Sequence, residues 1–174
     1  MFFCGRSPQK NTLRPTLLRR YDKYVISTDK SKLDIEAIHT FLSTKAYWSL
    51  QRPLEIVQKA IENSYCFGVF DQKKLVGFAR LVTDYAYFAW LCDVFIIPEY
   101  RGQGLSKWLI ECVINDVEVK KVRRFLLATR DALELYRKYG GYELLRNPER
   151  WMERINPDLS ELEYLKKLTN LPGK

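Results

Sequence analysis

Histidine is almost missing from this 174-residue chain: His39 is its only one. The four cysteines, Cys4, Cys66, Cys92 and Cys112, lie far apart and form no Cys-x-x-Cys pair. That excludes the ligand spacing of a zinc site and a dense disulfide framework. Three of the cysteines fall inside apolar strand or helix patterns, where a free Cys acts as a small hydrophobe. No apolar run approaches the roughly 18 residues of a membrane helix. The opening Met1-Phe2-Phe3-Cys4-Gly5-Arg6 is too short an apolar stretch for a secretory signal. The expectation is a reduced, cytoplasmic protein without membrane partner or tightly bound metal. The sequence also lacks internal repeats, low-complexity tracts and linkers. Two phosphate-binding patterns are missing as well. There is no Gly-x-x-x-x-Gly-Lys-Ser/Thr, and the glycines at 102 and 104 lack the third glycine of a dinucleotide fingerprint, because position 107 is Lys.

What is present is a globular composition: 47% of residues are hydrophobic, in alternating helix and strand patterns. The length fits one domain, expected over 21–174, preceded by a loosely ordered basic arm over 1–20 that carries Pro8 and Pro15. A net charge of +8 favours anionic partners, and equally describes a solubilising surface. A nucleic-acid partner is suggested by charge alone, with no recognition motif behind it.

Along the chain, Tyr24–Ser27 reads as a strand. Leu33 to Leu42 reads as an amphipathic helix with Asp34 and Glu36 in its first turn, and Pro53 opens a second helix. Tyr65–Phe70 and Leu75–Val82, separated by a polar turn, read as a hairpin. Ala86–Ile97 is a long central strand ended by Pro98. Apolar positions 105, 108, 109, 112 and 113 give a helical period. Phe125–Ala128 is another buried strand, followed by a helix over Ala132–Tyr139 that Gly140-Gly141 stops. One or two strands are expected within 142–155, and a short helix near Leu162, Leu165 and Leu168. This order predicts an α/β (α+β) domain with a mixed, mostly antiparallel sheet covered by helices on both faces.

The most informative stretch is Arg101-Gly102-Gln103-Gly104-Leu105-Ser106, between a buried strand and an amphipathic helix. Amides at a helix start are unpaired and the helix dipole adds positive charge there. Glycines clear the approach, and Arg101 and Lys107 add fixed charge, so a diphosphate fits the loop. An ordinary glycine-containing loop is the bland alternative.

Pro98-Glu99-Tyr100-Arg101-Gly102-Gln103-Gly104-Leu105-Ser106 resembles the acetyl-CoA motif of the GNAT N-acetyltransferases, Gln/Arg-x-x-Gly-x-Gly/Ala. Leu135-Tyr136-Arg137-Lys138-Tyr139-Gly140 resembles that family's Leu-Tyr-x-x-x-Gly signature. The resemblance covers roughly 24–145. It implies the family's sheet with a splayed central strand pair, the strand around Phe95 parting from that at Phe125–Thr129. It implies acetyl-CoA as co-substrate and an amine acceptor. By position, Arg101, Gly102, Gln103, Gly104, Leu105 and Ser106 would hold the pyrophosphate. Phe95, Ile96 and Ile97 would pair with the pantetheine arm, with Thr129 and Tyr136 also against the cofactor. Tyr136 matches the tyrosine that protonates the departing sulfur. Three positions depart from the family pattern. Ser106 replaces Gly or Ala, Thr129 stands where many relatives have Asn, and Gly141 stands where Phe usually follows, with Tyr142 one place later.

Asp93, the single charged residue from Ala86 to Ile97, is the candidate base, since burial raises a carboxylate's pKa. The alternative is an Asp that bonds backbone at a bulge. Tyr47, Trp48 and Arg52, between the first two helices, and Tyr85 and Tyr87 are candidates for the acceptor mouth, where aromatic rings grip by stacking or cation–π contact. Core packing or a homodimer contact is the alternative for each. His39 reads as a lone surface or half-buried side chain, and Lys120–Arg124 as a solvated turn. The functional expectation is N-acetyl transfer from acetyl-CoA to a primary amine of a small molecule or protein. A non-catalytic acetyl-CoA-binding sensor or scaffold is the alternative.

Overall fold

The computed structural model describes residues 18–154. Six strands lie side by side in chain order: β1 (Leu18–Tyr21), β2 (Tyr24–Ser27), β3 (Tyr65–Asp71), β4 (Lys74–Thr83), β5 (Phe88–Ile96) and β6 (Arg124–Leu126). All neighbours are antiparallel except β5 and β6, which are parallel. Among the described residues four α-helices accompany the sheet: α1 (Ile35–Thr44), α2 (Leu54–Glu62), α3 (Leu105–Ile114) and α4 (Leu133–Gly140).

Side chains alternate across β3, and the core divides accordingly. Tyr65, Phe67 and Val69 join Leu105, Leu109 and Val113 of α3 on one face. Cys66 and Phe70 join Ile38, Phe41 and Leu42 of α1 and Val57 and Ile61 of α2 on the other. The sheet is therefore covered on both sides, which is why β3 reads as a continuous apolar run. Asp34 caps α1 by accepting the Ala37 N–H at 2.9 Å, and Pro53 occupies the cap position of α2.

The structure departs from the sequence reading in three places. The stretch read as an arm already contains β1 at Leu18, an exposed strand held by backbone pairing with β2; residues 1–17 lie outside the described residues. No strand forms over 142–154; a single 3-10 turn at Pro148–Arg150 stands there instead, and the expected C-terminal helix lies outside the described residues. The strand expected at Phe125–Ala128 is only three residues long and half-buried. Among the described residues no helix is long and apolar enough to cross a membrane.

Candidate active site

Two irregularities shape β5. Phe78 pairs with Phe95 and Arg80 with Cys92, so β5 uses three steps where β4 uses two: a bulge at Asp93-Val94. Asp93 carries the strain of that bulge with φ of 51°. On its other edge, β5 pairs with β6 only through Phe88, Ala89 and Trp90. Beyond Trp90 the two strands part, and the gap opens into a cleft of about 810 Å³. The expected splayed pair is thus present.

The backbone of β5 divides between its two edges. The Ile97 N–H donates to the Val76 carbonyl at 2.9 Å, and the Phe95 carbonyl lies against Gly77. Polar groups of successive strand residues point to opposite edges. Ile96 and Val94 therefore turn toward the cleft, whereas Phe95 and Ile97 turn toward β4. The three residues read together as pantetheine partners split in this way. Sequence reading missed Val94, because the bulge that redirects it is invisible in an apolar run.

The chain then makes a 3-10 turn at Pro98–Tyr100 and enters the glycine loop. Gly102 and Gly104 have φ of 76° and 79°, the left-handed region that favours glycine. Space above Gly102 is open, with nothing within 4 Å of where a Cβ would stand. Among the described residues the amides from Gly102 to Lys107 have no hydrogen-bond partner; the first helical bond runs from Trp108 N–H to the Gly104 carbonyl at 3.1 Å. Two contacts fix the loop. Tyr24 Oη donates to Gln103 Oε1 at 2.6 Å, and Arg101 Nε donates to the Ile96 carbonyl at 3.0 Å. Arg101 and Ser106 line the same cleft as Thr129 and Tyr136. A row of free donors at a helix start, with open space above Gly102 and only the Tyr21 hydroxyl near Gly104, fits a pyrophosphate.

Asp93 lies at the opposite end of the cleft, and its carboxylate is fully engaged. Oδ1 accepts from Trp48 Nε1 at 3.3 Å and from Arg52 Nη1 at 3.0 Å; Oδ2 accepts from Arg52 Nη1 at 3.0 Å and from Arg80 Nε. Its side chain is only 2% exposed. A carboxylate clamped by two guanidiniums and an indole N–H anchors those groups and lacks a free lone pair for a substrate proton. The expectation of a general base at Asp93 does not fit this geometry. Sequence reading could not pair it, because Arg52 and Arg80 are brought to it by the α1–α2 connection and by β4.

Tyr136, on α4, lines the cleft. Burial pushes its phenol up to about 12, and Tyr47 and Asp131 add to the shift. It is a neutral proton donor throughout the physiological range. Its ring meets Tyr142 edge-on at 5.9 Å. Gly141 turns the chain at φ of 66°, and Tyr142 folds back over Gly140, so the aromatic displaced by one position still covers the helix end. Thr129 Oγ1 accepts the Ala132 N–H at 3.2 Å and shapes the turn into α4.

Tyr47 and Trp48 do reach the cleft. Tyr47 bridges its walls: its hydroxyl donates to Asp131 at 3.4 Å and accepts the Arg130 N–H at 3.2 Å, while the Arg130 guanidinium lies 3.7 Å above its ring. Tyr85 does not line the cleft. It sits in the β4–β5 turn against Tyr65, with ring centroids 5.8 Å apart, and Tyr87 is exposed under Arg123. The reason is the length of the hairpin, which carries its turn past the cleft mouth. His39 is half-buried, its Nε2 3.0 Å from the Arg52 carbonyl oxygen.

The family model of the acetyltransferase (GNAT) family matches residues 35–142, most of the chain. The chain belongs to the GNAT acetyltransferase family. A GNAT-family crystal structure from Xanthomonas campestris pv. campestris is 46% identical with a TM-score of 0.74, covering 78% of this chain and 95% of that one. FG08082 of Gibberella zeae, which bears the name of an acetyltransferase, is 28% identical over 75% of this chain and 85% of its own length. A Glycine max protein named histone acetyltransferase TAP1 is 34% identical over 57% of this chain and 48% of its own length. GNAT proteins are acyltransferases that use acetyl-CoA, and this GNAT chain is an enzyme of that class with the family's α/β sheet.

Proposed function

We propose that this GNAT enzyme moves the acetyl group of acetyl-CoA to a primary amine bound at the Asp93 end of the cleft. The observation that carries the reading is one continuous cleft. It is lined by Arg101 and Ser106 at the glycine loop, by Tyr136 on α4 and by Arg52, Arg80, Trp48 and the bulge residue Asp93. The amides of Gly102–Lys107 and the Arg101 guanidinium take the pyrophosphate. The Ile96 and Val94 backbone lies along the pantetheine arm, as an added strand would.

In the transfer, the neutral amine nitrogen attacks the thioester carbon. The C–N bond forms, the C–S bond breaks, the sulfur takes a proton from Tyr136, and the proton lost by the amine returns to Tyr136 through solvent, so the phenol ends the cycle protonated. A cleft-facing amide at the bulge stabilises the developing oxyanion. Tyr136 is protonated and in the cleft when the sulfur departs; because a phenol at about 12 is a weaker acid than a thiol at about 8.5, its donation is coupled to the loss of the amine's proton.

Acetyl-CoA titration of loop variants tests the cofactor half. Gly102→Val and Gly104→Val force a β-branched residue into the left-handed region, at about 1–2 kcal/mol each, and crowd the amides. CoA affinity is expected to fall at least about tenfold, while each substitution lowers the melting temperature by about 2–4 °C per kcal/mol of strain and leaves the protein folded. Unchanged affinity in a folded double variant overturns the assignment of the loop.

A further inference from the structure

The acceptor end of the cleft holds more positive charge than its own acids satisfy. Lys45, Arg52 and Arg80 line it, against the carboxylates of Asp93 and Asp131. Asp93 is shared by both arginines, whose side chains are only 20% and 14% exposed. Asp131 faces the rim, bonded by Tyr47. Arg80 turns its remaining reach to Ser64 Oγ at 3.1 Å. Arg52 uses Nη1 alone, for both oxygens of Asp93; among the described residues its Nε and Nη2 have no partner. These idle donors are not sealed from solvent: they open into the cleft, where an anion can take the place of water on them. The fork of an arginine matches a carboxylate or phosphate with two parallel bonds. Beside it stand two half-exposed indoles, Trp48 and Trp90.

Resting on the transfer reading above, we infer that the acceptor is a small amine that also carries an oxyanion. The free edge of Arg52 receives the anionic group, and the Trp48 and Trp90 faces receive its apolar part. An amino acid or a phosphorylated amine has this chemistry. A lysine-rich protein tail does not, because the excess cations of this mouth repel it.

Thiol release from acetyl-CoA over matched amines tests this directly. The pairs are phenethylamine with phenylalanine, and ethanolamine with phosphoethanolamine, alongside a lysine-rich peptide. The two pairs separate carboxylate from phosphate. The anionic member of at least one pair is expected to show kcat/KM at least about tenfold above its neutral partner, as one charge-assisted fork supplies. In Arg52→Gln, where Arg80 still pairs with Asp93, that ratio should fall toward one through KM; a melting curve checks the fold, and Arg52→Lys serves if it fails. Faster turnover of the neutral amines or the peptide overturns the inference, as does a ratio that survives in a folded Arg52 variant. If CoA binds but no amine in the panel is acetylated, the transfer reading fails separately. Equilibrium binding then decides: wild type should bind N-acetylphenylalanine at least about tenfold more tightly than N-acetylphenethylamine, and equal affinities overturn the anionic acceptor.

Discussion

Tyr136 shows how one side chain is prepared by its surroundings. It sits on an eight-residue helix, half-buried against Tyr142, and burial lifts its pKa to about 12. The sign follows: the phenol keeps its proton at every pH below that value, so it can donate but does not titrate in the working range. Tyr136→Phe removes the donor while keeping the ring contact. A fall in kcat of about a hundredfold is expected, at the lower end for a lost general acid, with CoA affinity nearly unchanged. In wild type the rate should climb with pH as the acceptor amine deprotonates and should show no falling limb up to about pH 10. A falling limb below pH 9, absent from the Phe variant, would assign a much lower pKa to Tyr136 and remove it as a donor poised by burial. Asp93 is the contrasting residue. It is more deeply buried than Tyr136, and two arginines and Trp48 engage it, so that it ties Arg52 and Arg80 together.

At the scale of elements, the connection after α3 carries a defect that can be measured. Asp116 is buried where the chain leaves the helix. Its Oδ1 accepts the Glu118 N–H at 2.9 Å, while Oδ2 and the neighbouring Tyr65 hydroxyl make no well-formed hydrogen bond among the described residues. Desolvation raises its pKa above the usual 3.8. A carboxyl whose folded pKa is raised holds its proton longer in the native state, so stability drops as pH rises from about 4 through the folded value and stays lower above it. Asp116→Asn keeps the acceptor for Glu118 and removes the buried charge. It should raise the melting temperature at neutral pH by about 2–4 °C, the response of a domain this size to about 1 kcal/mol, and the gain should vanish as pH falls below about 4. Differential scanning calorimetry at the two pH values decides, and an unchanged or lower neutral melting temperature rules out the cost of burial at Asp116. Elements with a strong period or a long apolar run were legible in the sequence: α3, α4, the β3–β4 hairpin, β5 and the glycine loop between β5 and α3. Elements held by backbone pairing were not. β1 is exposed along its whole length and has no alternation to read. The segment after Gly141 has apolar residues at Leu144, Leu145, Trp151 and Met152, which look strand-like but stand exposed beside the bare edge of β6. The Asp93–Arg52–Arg80 cluster was hidden for another reason: its partners lie 41 and 13 residues away, and only the topology joins them.

For the whole molecule, the decisive quantity is the net charge of +8. It surrounds this GNAT enzyme with a positive field, and acetyl-CoA, the donor proposed for it, is a polyanion. Arg101, Lys107 and the free amides of the glycine loop supply the short-range part of the attraction; the remaining cations act at a distance and are open to screening. Between about 0.1 M and about 1 M salt the Debye length shrinks from about 10 Å to about 3 Å, which removes the distant contribution and leaves contacts within the loop. Stopped-flow binding of CoA should therefore show an association rate that falls by about tenfold over that range, with a smaller change in dissociation rate. Arg101→Gln should lower affinity at both salt concentrations, because its guanidinium lies inside the screening distance. A surface lysine remote from the cleft, such as Lys59 on α2, should matter only at low salt. If association is insensitive to salt, the basic surface plays no part in capture and the glycine loop alone brings the nucleotide in.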